Sequence, residues 1–294
     1  SRLHCFRYIA TPTYLGGVSL LKNIALVISY DGSGFAGFQK QPNQRTVQGV
    51  LEDALHRLLG DKPKVSGAGR TDAGVHAIGQ VVNFFTEYDL PERAYLRGLN
   101  SLLPSDVKVR QMFVASDNFQ ARKSATAKEY HYWLRLAETP SPIGIKAWQI
   151  YQALDLEAMA LALLNFRGEH DFSAFRSTGS SVQTTVRTIY STSYSYIGKY
   201  MVFSFTANGF LYNMVRIIMG TLLDVGLKKL LPQDIPAIIA CCNREKAGRT
   251  APPEGLYLYR VFYGGLDDCC REKGNSTIAA DLFNTDLDIK GYFT

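Results

Sequence analysis

The sequence predicts an α+β protein of two domains, with mixed, largely antiparallel sheets flanked by helices. Three observations support this. The chain has 294 residues, room for two domains at roughly 150 residues each. Strand-length and helix-length segments of similar size mix in both halves. No short repeat period is present, which argues against a solenoid or propeller. Hydrophobic residues make up 46% and charged residues 20%, a balance that excludes disorder of the whole chain.

The elements follow in order. Lys22–Tyr30, with the apolar stretch Ile24–Ile28 at its centre and closed by Asp31-Gly32-Ser33-Gly34, has the pattern of a buried strand and its turn. Thr46 is placed to cap a helix in which Val47, Val50, Leu51, Ala54, Leu55, Leu58 and Leu59 form one stripe, and Gly60 ends it. Lys64–Ser66 reads as a short strand leading into a glycine-bearing loop, Gly67–Gly74, and Ile78–Phe85 as a longer strand. Pro91–Leu102 is a helix with proline in its first turn. Val107–Ala115 and Lys128–Leu136 alternate as strands. In the second half, Leu156–Phe166 is a helix closed by Arg167-Gly168. Thr188–Tyr196 and Tyr200–Asn208 form a hairpin across Ile197-Gly198-Lys199. Leu211–Val225 is a helix ended by Gly226, Pro232–Cys241 another, and Leu256–Tyr263 a strand.

Proline and glycine cluster at Pro140–Lys146 and place the boundary between domains 22–140 and 141–264. Residues 1–21 hold Arg2 and Arg7 and no acid, and read as an extension, either a transit-peptide stub or a plain tail. Residues 265–294 carry six acids against three bases and no amphipathic period, as expected of a mobile tail. With a whole-chain charge of +6, the tail's −3 leaves the remaining body at +9, which favours an anionic partner. No segment approaches the roughly 18 apolar residues of a membrane span. The five cysteines, Cys5, Cys241, Cys242, Cys269 and Cys270, lack Cys-x-x-Cys spacing. This argues against structural zinc and for a reducing compartment. The five histidines show no ligand spacing, so no metal is expected.

The segment richest in chemistry is Gly67-Ala-Gly-Arg-Thr-Asp-Ala-Gly-Val-His-Ala77. Its glycines allow tight turns and close approach of a ligand. Asp72, with Arg70 nearby, is expected to be ionised, because an opposite charge lowers a carboxyl pKa. Such a carboxylate can act as nucleophile or base; alternatively it caps its own turn with Arg70 as a surface partner. Arg216 lies among Met214, Val215, Ile217 and Ile218. An arginine in that run is costly unless paired, so it either has a partner or faces solvent. His76 is expected to be structural. Tyr130, alternating with Tyr132 on a strand, is on its own terms a core tyrosine.

Gly69-Arg-Thr-Asp-Ala-Gly-Val-His-Ala77 closely resembles the signature of the bacterial TruA family, the tRNA pseudouridine synthase I group. Five further matches follow in order. They are Tyr30-Asp-Gly-Ser-Gly-Phe-Ala-Gly-Phe-Gln-Lys-Gln41, Phe119-Gln-Ala-Arg-Lys-Ser-Ala-Thr-Ala-Lys-Glu-Tyr-His-Tyr132, His170-Asp-Phe-Ser-Ala-Phe175, Asn208-Gly-Phe-Leu-Tyr-Asn-Met-Val-Arg216 and Glu254-Gly-Leu-Tyr-Leu258. The resemblance covers about residues 22–263.

It implies a pseudouridine synthase fold with a central catalytic cleft, and an enzyme isomerising uridine in the anticodon stem-loop region of tRNA without a cofactor. Asp72 falls on the family's catalytic aspartate, Arg70 on the basic residue that holds the flipped nucleotide, and Arg216 on the arginine pairing with the aspartate. Tyr130 falls on the tyrosine that stacks on the target base. The strand bearing Leu256 and Leu258 is expected to line the pocket. Arg122 and Lys128, beside the motif strand, are the expected RNA contacts within a wider set of basic candidates that includes Lys40 and Arg45. A homodimer, and a bacterial cytoplasm or a eukaryotic organelle, follow from the same resemblance. Phe38 stands where relatives carry tryptophan, and Glu129 and His131 stand where many carry arginine.

Overall fold

The structure is a computed structural model and describes residues 14–15, 18–19, 21–136, 139, 145–179 and 183–264. The tail 265–294, most of the extension 1–21 and most of the Pro140–Lys146 cluster lie outside the described residues. The fold is α+β, as the sequence predicts. The chain divides into two compact units.

The first unit spans Ser1–Arg70, Ala77–Thr126 and Phe262–Thr294. β1 (Tyr14–Leu15) pairs with β2 (Val18–Ser19). β3 (Lys22–Tyr30) is almost wholly buried, as its apolar stretch Ile24–Ile28 predicts. Thr46 caps α1 (Val47–Leu59), its hydroxyl accepting from the Gly49 amide at 3.3 Å, and Gly60 ends the helix at φ +82°. β4 (Ser66–Gly67), β5 (His76–Thr86), α2 (Glu92–Leu102) and β6 (Val107–Ala115) follow. β3 lies between β5 and β6, antiparallel to both, and β4 pairs with β5 through Ser66↔Asn83 and Gly67↔Val82. The short strand therefore lies two residues later than its apolar pattern suggests. α1 packs on α2 and α2 on β6, and Leu26, Ile28, Leu51, Leu55 and Tyr95 are fully buried.

The second unit holds Thr71–His76 and Ala127–Val261. The units part at Thr126, not near residues 140–146. β7 (Ala127–Leu136), placed by sequence in the first domain, belongs here because its ladder partner is β11. β8 (Trp148–Ile150) adds in parallel to β7. α3 (Leu156–Leu164), β9 (Gly168–Asp171), β10 (Val186–Ile197), β11 (Tyr200–Ala207), α4 (Met214–Gly226), α5 (Ile235–Ala240) and β12 (Leu256–Phe262) complete it. The strand order is β12-β7-β11-β10-β9. The β10–β11 hairpin turns on Gly198-Lys199, with Gly198 at φ +57°. Pro232–Asp234 is a 3₁₀ turn rather than the start of an α-helix.

α4 is the central helix of this unit. It packs on α3 and β7, and every residue but Arg216 and Asp224 is buried. Gly220 brings it against the irregular segment after α5: a Cβ there would lie 1.7 Å from the Arg249 carbonyl oxygen. The Gly248 amide donates to Thr221 Oγ1 at 2.8 Å across the same contact.

Candidate active site

The glycine-bearing loop is held at both ends by local chemistry. In the first unit the Gln80 side chain is fully buried. Its Nε2 donates to the Gly69 carbonyl at 2.7 Å, and its Oε1 accepts from the Gly69 amide at 3.3 Å. The Phe38 ring occupies the space a Gly67 Cβ would take, 2.5 Å away. In the second unit Thr71–His76 turns tightly, with the Val75 amide donating to the Asp72 carbonyl at 3.1 Å. Gly74 sits at φ +79°, and a Cβ there would meet Pro253 at 2.8 Å. His76 is buried and stacks on Tyr257 at 4.6 Å, a structural placement.

Asp72 and Arg216 come together in this unit. Arg216 Nη1 lies 3.9 Å from Asp72 Oδ2, with side chains 15% and 28% exposed. The arginine is fixed independently of the carboxylate. Its Nε donates to the Ala251 carbonyl at 2.7 Å and its Nη1 to Asn213 Oδ1 at 2.8 Å. The Ala251 amide returns a bond to the Arg216 carbonyl at 3.0 Å. Burial pushes the Asp72 carboxyl above its ordinary pKa, and the Arg216 charge pulls it only partly back. The sequence expectation had the opposite sign. It weighed a neighbouring arginine and not desolvation, which here is the larger effect. The result is a largely buried carboxylate facing a guanidinium at longer than hydrogen-bond range.

The remaining predicted residues are distributed as follows. Tyr130 is buried on β7, edge-on to Phe210 at 5.0 Å. Leu256 and Leu258 are buried on β12, Leu258 completely. Lys128 is half-buried on β7. Arg70 and Arg122 are exposed in the first unit and share the wall of one cavity. Lys40 and Arg45 are already committed, to Glu52 at 2.9 Å and Asp106 at 2.8 Å. The residues flanking Tyr130 also pair with each other: His131 Nε2 is 2.7 Å from Glu129 Oε1, and the His131 ring stacks on Tyr259 at 3.8 Å.

Sequence reasoning missed Asn213. It precedes α4 at φ +61°, makes no side-chain cap, and instead bridges Ser177 Oγ (3.0 Å) and Arg216 (2.8 Å). The available signal is an asparagine three residues before the arginine, a residue type that tolerates the left-handed region. Its conformation also explains why the helix starts at Met214 and not at Leu211.

Comparison with known proteins identifies the family. A family profile described as tRNA pseudouridine synthase matches residues 26–122 and 162–264, more than half of the chain. The chain is 45% identical over 244 residues to the tRNA pseudouridine synthase A of Acetivibrio thermocellus, covering 83% of this chain and all of that protein. It is 44% identical over 244 residues to that of Caldicellulosiruptor bescii, with the same coverage. With that of Oceanobacillus iheyensis it shares 45% over 248 residues, 83% of this chain and 97% of that protein. Among solved structures, a chain in the crystal structure of a Cbf5-Nop10-Gar1 complex aligns at 12% identity and a TM-score of 0.29, over 68% of this chain and 54% of that one.

Proposed function

The chain belongs to the tRNA pseudouridine synthase family, and from that premise we propose that Asp72 is the carboxylate with which it isomerises uridine in the anticodon stem-loop region of tRNA. The observation that carries the assignment is the partly buried Asp72 facing an Arg216 fixed by two other bonds. The target uridine must leave the stack before its C1′–N1 bond can be reached, at a cost of a few kcal/mol. Tyr130 offers the aromatic face for the uracil, and Arg70 takes the adjacent phosphate or the vacated space. Asp72 supplies negative charge as the glycosidic bond breaks, whether by adding to the base, adding to the sugar or deprotonating the sugar. The base turns, C5 bonds to C1′, the C5 proton leaves and N1 gains one. Nothing is oxidised and no group is donated, so the balance needs no cofactor.

Substrate contact is mainly with shape and phosphates, with Arg122 and Lys128 among the donors and Leu256 in the pocket wall; Leu258, fully buried on β12, presents no surface to a substrate. A tRNA is large beside one subunit, and the family resemblance supports action as a homodimer. Bacterial relatives support a bacterial cytoplasm or an organelle of bacterial descent. Among the described residues no helix is long and apolar enough to cross a membrane. Mapping pseudouridines in an unmodified tRNA transcript after incubation with the enzyme tests the reading. New pseudouridine confined to the anticodon arm supports it; modification only elsewhere overturns the positional assignment.

A further inference from the structure

A cavity of about 390 Å³ opens in the first unit between α1, β4 and the segment after β6. Lys64, Arg70, Arg122 and Lys123 stand in its wall, and the wall contains no carboxylate. Elsewhere in the same unit Lys22, Lys40, Arg45 and Lys62 are each held by an acid within 2.9 Å. The four wall cations are exposed and make no hydrogen bond or ion pair with any described residue. Four like charges around one hollow repel each other and attract an anion. The wall also contains the Phe85 ring, which is 44% exposed although it lies on an otherwise buried strand. A flat apolar face ringed by free cations matches single-stranded nucleic acid, whose bases stack while its phosphates pair. An acidic peptide would satisfy the cations and leave the ring in water.

We infer that this cavity is a second nucleotide site: it takes an unstacked nucleotide of the RNA substrate other than the reacting uridine, with its base on Phe85 and its flanking phosphates on Lys64, Arg122 and Lys123. The inference rests on the reading of the chain as an enzyme acting on tRNA. Residues 71–76 are not part of the wall, but Arg70 is; because Arg70 is already assigned to the reacting uridine, the second site is placed on Phe85, Lys64, Arg122 and Lys123, and its tests leave Arg70 unaltered. Its size suits one small ligand group rather than a helix of RNA.

The test is the dissociation constant of an unmodified tRNA transcript at several salt concentrations, with inorganic polyphosphate as a base-free polyanion. Phe85→Ala weakens tRNA about tenfold, within the range for loss of one stacked base, and leaves polyphosphate within about twofold. Phe85→Tyr restores tRNA affinity, which excludes a folding defect. Lys64→Gln and Lys123→Gln each reduce the slope of log affinity against log salt by about 0.7. Unchanged tRNA affinity in Phe85→Ala, equal loss on both polyanions, or an unchanged salt slope in both lysine variants overturns the site. Turnover of Asp72→Asn, assayed beside these, reports on the isomerase reading alone. An inert Asp72→Asn with a normal Phe85→Ala sinks only the cavity, and an active Asp72→Asn with a weakened Phe85→Ala sinks only the carboxylate.

Discussion

Arg216 and Arg70 lie in different units and, on the proposed reading, are used in opposite ways. Arg216 is tied to the Ala251 carbonyl and the Asn213 amide oxygen before any substrate arrives. Arg70 is exposed on a cavity wall with no bond to a described residue. The contrast separates two tasks. A charge that acts on one reacting carboxylate must be oriented in advance, since reorientation during the reaction would spend what it contributes. A charge that grips a flexible polyanion can stay loose and accept the ordering cost on binding. The same contrast holds for aromatics: Tyr130 is buried against Phe210, whereas Phe85 stands open.

The largest effect expected from breaking this division is at Arg216. Arg216→Gln lowers kcat by about 10²–10³-fold, in line with loss of a preorganised charge at a reacting centre, while tRNA affinity changes less than threefold. Arg70→Gln shows the reverse split, with the main loss in affinity. The pH profile sharpens the point. Arg216 lowers the Asp72 pKa against burial, so its removal raises that pKa, and the acid limb of kcat/KM moves to higher pH.

Next in size is the contact that positions the helix. Gly220→Ala puts a methyl 1.7 Å from a backbone oxygen, and the overpacking costs about 1–3 kcal/mol. A thermal melt records this as a fall of several degrees, with turnover lost alongside because Arg216 moves with α4.

Asn213 follows. Asn213→Gly keeps the left-handed backbone accessible but removes the bond to Arg216. Loss of that bond to a charged group, about 1.5 kcal/mol, lowers kcat about tenfold and leaves KM nearly unchanged, while loss of the Ser177 bond with it lowers the melting temperature by a few degrees. A merely structural asparagine would move the melting temperature without the tenfold fall in kcat.

The smallest effect is on stability. The Asp72 pKa is raised in the folded state, so the carboxyl binds protons more tightly folded than unfolded. Its ionisation therefore costs stability as pH rises from below the unfolded value through the folded one. Asp72→Asn removes that cost and raises the melting temperature at pH 7, with no gain at pH 3.

These outcomes also mark what the sequence could and could not reveal. Val107–Ala115 was legible from alternation, α1 from Thr46, its apolar stripe and Gly60, and the β10–β11 turn from Gly198, because each is decided by neighbours in the chain. The strands β8 and β9 were not. Three or four residues such as Gly168–Asp171 hold no period and become strands only through a ladder partner, here β10. The position of β7 was missed for the same reason. At the site, the cost of an arginine in an apolar run made a partner for Arg216 legible, and the family resemblance named that partner as Asp72. The sign of the Asp72 shift and the role of Asn213 were not, since burial and a positive φ are properties of the fold.

The most direct test of the central claim is tritium release from C5-labelled uridine in a tRNA transcript under single-turnover conditions, using Asp72→Asn at concentrations above its measured dissociation constant. The account predicts tRNA affinity within about threefold of the unaltered protein and no release above the enzyme-free background. Near-normal release from that variant would contradict it.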